Sequence, residues 1–184
     1  MGVFFALYFV VMNFPVFPVT QMPAIGLDRA TGFHPWTLLL YGSLWLYVSL
    51  PPVFLATLRQ GVRYAGMAAA VGGVGMLIFF FWPTKIPPPE IDWSRYPGFD
   101  FLRHIDSSGN ACPSLHVAFA VFSGVWLDRI LRRASAPGWA RVLNLGWGLG
   151  IAYSTLATKQ HVALDVGAGA VLGLLGAALR RAIL

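Results

Sequence analysis

The stretch YAGMAAAVGGVGMLIFFFW, residues 64–82, runs for 19 residues without a charge and decides the class of fold. A helix needs about 20 mostly apolar residues to cross the hydrocarbon core of a bilayer. The whole chain of 184 residues is 57% hydrophobic and 11% charged, whereas a soluble domain normally carries about 25% charge. The stretch therefore predicts a membrane-spanning helix in an integral membrane protein with a single domain, residues 1–184.

Other apolar runs on both sides of this stretch predict further spans. A second run without charges precedes it at residues 36–58. An opening run at residues 3–19 is interrupted by Asn13 and two prolines, so it either spans the membrane or breaks within it. We therefore expect an all-α bundle of six membrane helices, or of five if the opening run does not span. The remaining spans are expected at residues 113–127, 142–157 and 161–179.

The charged residues between these runs divide unevenly between the two sides of the membrane. With six alternating spans, one side holds eight arginines against Asp128, a net charge of +7, and the other side has a net charge of −1. Because basic loops stay in the cytoplasm, the basic side is cytoplasmic. The long polar loop at residues 83–112 and the segment TKQHVALD at residues 158–165 then face outward. We expect a multi-pass protein of the plasma (inner) membrane with its site on the periplasmic side.

The net charge of +6 does not indicate a nucleic-acid partner. The arginines stand between apolar runs instead of clustering with aromatic residues on a polar surface, and this arrangement is typical of membrane proteins.

The segment TKQHVALD places three ionisable residues, Lys159, His161 and Asp165, at the entry of the last apolar run. On a helix, the spacing of four residues puts His161 and Asp165 on one face. A carboxylate there accepts one imidazole N–H and leaves the other ring nitrogen free to attack. Lys159 is placed to hold an anion beside that nitrogen. Because ionisable residues at such depth are usually functional, the segment predicts a nucleophilic site.

A second outward segment, CPSLHVAFA at residues 112–120, predicts the start of a helix. The free N–H groups of Ser114, Leu115 and His116 would bind an anion there, and His116 lies where it could donate a proton. Lys85, where the preceding span ends, adds a positive charge on the same side. Together these groups suit an oxyanion that one histidine attacks while the other protonates the leaving oxygen.

The order of these segments resembles the type 2 phosphatidic acid phosphatase superfamily, whose pattern is K-x6-R-P, then P-S-G-H, then S-R-x5-H-x3-D on six membrane helices. PSLH and STLATKQHVALD correspond to the second and third motifs, and the resemblance covers roughly residue 83 to the end. It implies that His161 is the nucleophile, Asp165 its orienting partner and His116 the general acid. It also implies that Lys85, together with Ser114 and the backbone amides near it, binds phosphate.

The chain departs from the family pattern at three positions. Asp92 and Thr155 stand where the first and third motifs have arginine, and Leu115 replaces the glycine of the second motif. The motif sequences look more like those of the branch that contains inositol phosphorylceramide synthases than those of the simple phosphatases. Water and an alcohol therefore both stay open as acceptors of the phosphoryl group. The residues that could replace the missing arginines are Arg95, Arg103 and Lys159.

We therefore expect a lipid phosphatase that hydrolyses a phosphate monoester or pyrophosphate through a phosphohistidine at the outer leaflet, with no metal or organic cofactor. Its partners are the lipid phosphate substrate and membrane lipids, and the oligomeric state stays open. One alternative is a phosphotransferase with an alcohol acceptor, and another is an anion or lipid transporter with its ionisable cluster near the bilayer midplane. A metal site built from His104, His116, His161 and Asp165 would not have the spacing of a known zinc motif.

Overall fold

The computed structural model describes residues 2–99 and 109–179, and most of them are helical, which confirms the all-α class. Two short strands, β1 (Thr20–Gln21) and β2 (Thr84–Lys85), pair in parallel, with Thr20 opposite Thr84. Single 3-10 turns lie at Pro35–Thr37, Trp93–Arg95 and Pro97–Phe99. The α-helices are α1 (Gly2–Asn13), α2 (Gly26–Ala30), α3 (Leu38–Gly42), α4 (Leu44–Val53), α5 (Leu58–Phe81), α6 (Leu115–Arg133), α7 (Gly138–Ala157) and α8 (Ala163–Ala178).

Every predicted apolar run contains helix, although the bounds differ. The opening run is helical only as far as Asn13, because Pro15 and Pro18 cannot donate the backbone hydrogen bonds that a helix needs. The run at residues 36–58 is divided into a 3-10 turn, α3 and α4. Within the described residues, α5 is the one helix long and apolar enough to cross a membrane, with 28% of its most apolar window buried. The six spans therefore remain a prediction.

The long helices α5 to α8 alternate in direction along the chain, so that α6 and α8 are parallel and the bundle has two chemically different ends. At one end, Arg129 Nη1 donates to the carbonyl of Ala177 at 2.9 Å, and Arg141 Nε donates to Asp128 Oδ1 at 2.8 Å. These contacts join the end of α6 to the end of α8 and the start of α7. At the opposite end lie the start of α6, the end of α7 and the start of α8. The segments that carry the motifs therefore meet at one end of the bundle and the described arginines of α6 and α7 at the other.

Glycines on one side of α8 let it pack directly against the backbone of α6. A Cβ atom on Gly169 would lie 2.3 Å from the carbonyl oxygen of Ser114, and one on Gly173 would lie 2.4 Å from that of Ala118. No side chain larger than hydrogen fits at these two positions without moving a helix. This close approach holds the N-termini of α6 and α8 side by side, which positions the site.

The segments next to the site are joined at β2. Thr84 Oγ1 accepts the N–H of Cys112 at 2.8 Å, and Lys85 pairs with Gly109 in an isolated bridge. Met22 N donates to the carbonyl of Lys85 at 2.8 Å, which attaches the residues after β1 to the same strand. The segment that leads into α6 is therefore anchored on the strand that follows α5.

Candidate active site

His161 and Asp165 lie together at the start of α8, but not on one helical face as the spacing predicted. The helix begins at Ala163, so His161 lies just before it. Asp165 Oδ2 accepts the N–H of Val162 at 3.1 Å and thereby caps the helix, and the same oxygen lies 3.6 Å from Nδ1 of His161. Asp165 is fully buried, and the His161 side chain is 9% exposed. The capping geometry, and not the helical repeat, brings the two groups together.

Two polar atoms of this pair have no hydrogen-bond partner among the described residues, namely His161 Nδ1 and Asp165 Oδ1. Buried polar atoms are rarely left unpaired in proteins. A separation of 3.6 Å is too long for a hydrogen bond, and shortening it to about 2.9 Å would make one. The pair is thus placed to form a charge-assisted bond when the imidazole becomes positive, with Nε2 as the nitrogen left for attack.

The backbone before His161 is fixed by the last carbonyls of α7. Both His161 N and Gln160 N donate to the carbonyl of Thr155, at 3.1 and 3.0 Å. Thr155 occupies the position of the third-motif arginine, is fully buried and donates its hydroxyl to the carbonyl of Ala152 at 2.8 Å. Thr155 therefore holds the loop at His161 through its carbonyl and supplies no positive charge.

Lys159 makes a different contact from the one that we expected. Its ammonium donates to the backbone carbonyl of Asp28 at 3.1 Å and to that of Thr31, and its backbone has a φ of 57°. Burial lowers the pKa of Lys159, and the charge of Asp28 opposes this shift. The ammonium thus closes the end of α2 instead of facing an open anion site, so the structure does not support the phosphate-binding role expected for Lys159.

The start of α6 keeps only part of its expected anion-binding capacity. Ser114 is fully buried, and its Oγ accepts the N–H of Val117 at 3.3 Å as the helix cap. Its own N–H donates to the carbonyl of Asp165 at 3.0 Å and is not free. The N–H groups of Leu115 and His116 take part in no hydrogen bond within the described residues, while the Leu115 side chain packs against Gly75. These two amides remain as donors for an oxyanion.

His116 is held by α3. Its ring stacks on Tyr41 with 3.9 Å between the centroids and 20° between the planes, and its Nε2 lies 3.1 Å from the Tyr41 carbonyl oxygen. Because a carbonyl only accepts, Nε2 carries the hydrogen and Nδ1 remains for a substrate. Ser114, two residues before His116, donates its N–H to the carbonyl of Asp165 at 3.0 Å, which joins the start of α6 to the segment that carries His161. The two predicted catalytic histidines therefore share one site.

Cys112 is a further side chain at this site. Burial raises the pKa of the Cys112 thiol to about 11, and the neighbouring Asp165 carboxylate adds to the shift. The thiol is therefore protonated at neutral pH and is not a nucleophile.

The remaining cationic candidates do not reach this cluster through any described contact. Lys85 is exposed at the end of β2, although its backbone pairs with the segment that leads into α6. Arg95 is exposed at the end of a 3-10 turn, and Arg103 lies outside the described residues. Within residues 2–99 and 109–179, no group of three or more His, Cys, Asp or Glu side chains could hold a metal ion. His104 lies outside those ranges.

Sequence reasoning did not identify two residues that position the site, Tyr41 and Asp28. Tyr41 lies inside an apolar run, where no local pattern distinguishes it from a core residue. Asp28 Oδ1 accepts the N–H of Ala163, the first residue of α8, at 2.7 Å. The charge count placed Asp28 on the same predicted outer side as TKQHVALD, and this was the signal in the sequence that could have pointed to Asp28.

A family model described as the PAP2 superfamily matches residues 35–183. The match includes α3 to α8 and with them His116, His161 and Asp165, whereas Asp28 lies outside it. No curated protein and no solved structure matches the chain.

Proposed function

The chain belongs to the PAP2 (type 2 phosphatidic acid phosphatase) superfamily, whose members are phosphoesterases, and we propose that it is an integral-membrane lipid phosphatase. It hydrolyses a lipid phosphate monoester or pyrophosphate at the outer leaflet through a phosphohistidine. The observation that carries the proposal is the pair of histidines at one end of the bundle. Each has one nitrogen directed to a fixed oxygen, Asp165 Oδ2 for His161 and the Tyr41 carbonyl for His116.

The first chemical step follows from these two fixed nitrogens. The phosphate lies at the free N–H groups of Leu115 and His116, where the positive end of α6 stabilises its charge. His161 Nε2 attacks phosphorus, and a P–N bond forms while the bond to the leaving oxygen breaks. His116 takes up a proton at Nδ1 when the anionic phosphate binds beside it, and gives this proton to that oxygen. Asp165 stabilises the positive charge that develops on the His161 ring.

The second step releases the product. A water molecule loses a proton to Nδ1 of His116 and attacks the phosphohistidine, so the P–N bond breaks and inorganic phosphate leaves. His161 returns to its neutral form, and His116 is again protonated for the next turnover.

Exposed apolar side chains support the membrane location. Leu39, Val53 and Leu58 are 84%, 74% and 85% exposed, and further large apolar residues are exposed along α5, α7 and α8. Soluble monomers rarely expose contiguous apolar surface of this kind. The acyl or prenyl chains of surrounding lipids would cover it, and a lipid substrate would share that environment.

The position of the ionisable cluster favours an enzyme over a transporter. His116 lies in the first turn of α6, and His161 and Asp165 lie at the start of α8. A transported anion would require such groups near the middle of the helices, with access from both sides.

Turnover by the purified protein tests the proposal. We expect release of inorganic phosphate, in the presence of chelator, from one or more members of a panel with phosphatidic acid, lysophosphatidic acid and prenyl pyrophosphates. His161→Ala should remove this activity, whereas His34→Ala, a histidine at the same end of the bundle, serves as the matched control. Undiminished turnover by His161→Ala would refute the nucleophile assignment.

The acceptor is decided in the same assay. A phosphotransferase would form product only when an alcohol acceptor is added and would release no free phosphate without it. That result would replace the proposed phosphatase by a phosphotransferase, the alternative that the motif sequences suggest.

A further inference from the structure

The carboxylate of Asp28 joins two segments that are far apart in the sequence. Its Oδ2 accepts the N–H of Ile25 at 2.7 Å, which closes the first turn of α2. Its Oδ1 accepts the N–H of Ala163 at 2.7 Å, which is the first N–H of α8. A carboxylate at this position also interacts favourably with the positive end of the α8 dipole.

The same short segment binds the loop on the other side of the nucleophile. The Lys159 ammonium donates to the carbonyls of Asp28 and Thr31. The loop is thus attached to residues 28–31 at Lys159, two positions before His161, and at Ala163, two positions after it. Lys159 bonds to two backbone carbonyls and Ala163 to a side chain, so three hydrogen bonds fix a loop of five residues.

We propose that Asp28 and Lys159 form a clamp that holds residues 159–163 and positions His161 against Asp165. The inference rests on the proposed function, because the group it positions is the proposed nucleophile. Lys159 then acts on His161 through the loop and is not a ligand of the phosphate. Of the two clamp residues, Lys159 lies within the family match and Asp28 lies before it.

Hydrogen exchange tests the clamp without reference to turnover. In Asp28→Ala, amides in peptides covering residues 158–166 should exchange at least about tenfold faster, because the bond to Ala163 N is lost. Asp28→Asn has one acceptor oxygen for the N–H groups of Ile25 and Ala163, so its exchange rate should lie between those of the wild type and Asp28→Ala. Asp92→Ala is the matched control, since the Asp92 carboxylate also caps a turn but, within the described residues, accepts only from Ser94. Unchanged exchange in Asp28→Ala would overturn the clamp.

Kinetics test whether the clamp positions the nucleophile. Asp28→Ala and Lys159→Met should each lower kcat roughly tenfold with KM nearly unchanged, because misplacing a reacting group slows the chemical step. The kcat of the double variant should be only slightly lower than that of either single variant, because both substitutions break the same clamp. Arg29→Met, an exposed cation on α2, is the control for Lys159→Met. Faster loop exchange without any loss of kcat would overturn the positioning role.

Inhibition by inorganic phosphate shows whether Lys159 belongs to the clamp or binds the phosphate. If Lys159 bound phosphate, Lys159→Met would raise the inhibition constant and Asp28→Ala would not. A clamp predicts that neither variant changes it by more than about twofold, because neither side chain touches the anion. If the wild-type protein turned over no phosphate ester, the proposed function would fail, and the exchange experiment would still decide the clamp.

Discussion

Oδ2 of Asp165 lies 3.6 Å from Nδ1 of His161 and at the same time accepts the N–H of Val162. One buried carboxylate oxygen therefore both caps α8 and faces the proposed nucleophile. The start of the helix and the orientation of the imidazole depend on the same atom, so substitutions at Asp165 can separate a structural from a chemical effect.

Asp165→Asn should lower kcat by about 10²-fold or more, because the amide keeps an oxygen for Val162 N–H but provides no negative charge for the His161 imidazolium. Its melting temperature should stay close to that of the wild type. Asp165→Ala also removes the cap and should lose about 1 kcal/mol of stability. Turnover and thermal unfolding in detergent measure both effects, and an Asp165→Asn variant with wild-type kcat would contradict the orienting role.

Tyr41 should matter most for substrates whose leaving oxygen needs a proton. Tyr41→Ala removes the ring on which His116 stacks, so we expect kcat to fall roughly tenfold on a lipid phosphate. An aryl phosphate with an acidic leaving group should be affected much less. Tyr41→Phe keeps the ring on which His116 stacks and should keep more activity than Tyr41→Ala. Equal losses on both substrates in Tyr41→Ala would argue against a role through the general acid.

Gly169 should not tolerate a methyl group. A Cβ atom there would lie 2.3 Å from the Ser114 carbonyl oxygen, so Gly169→Ala must push the starts of α6 and α8 apart. We expect a loss of about 1–3 kcal/mol in stability together with reduced turnover. Gly167→Ala on the same helix meets nothing within 4 Å and should be neutral or stabilising. Similar melting temperatures for the two variants would contradict the close packing.

Cys112 should resist alkylation while the protein is folded. Its thiol is buried and its pKa is raised from 9.0 to about 11, so little thiolate is present at pH 8. Iodoacetamide should react with it only after unfolding, and mass spectrometry of the single cysteine reports this directly. Between pH 9.0 and about 11 the folded thiol keeps a proton that the unfolded chain releases, so this group stabilises the fold below pH 9.0 and loses that effect as pH rises. Rapid labelling of the folded protein would contradict this environment.

Much of the secondary structure could be predicted from short-range patterns. The apolar runs gave the helical regions, and Ser114 before its run is the observed cap of α6. The bounds were less predictable, since the run at residues 36–58 is divided and the opening helix ends at Asn13. The all-α class and the family are confirmed, whereas the six spans and the catalytic roles stay predictions.

The sequence by itself determined the features that depend on near neighbours, namely helices from apolar runs and a cap from Ser114. Only the tertiary structure decided which distant groups complete the site. Lys159 lies 128 residues from Thr31, and His116 lies 75 residues from Tyr41, yet each pair is in contact. The physical reason is that a side chain binds whatever acceptor the packed helices bring to it. No local pattern encodes that partner.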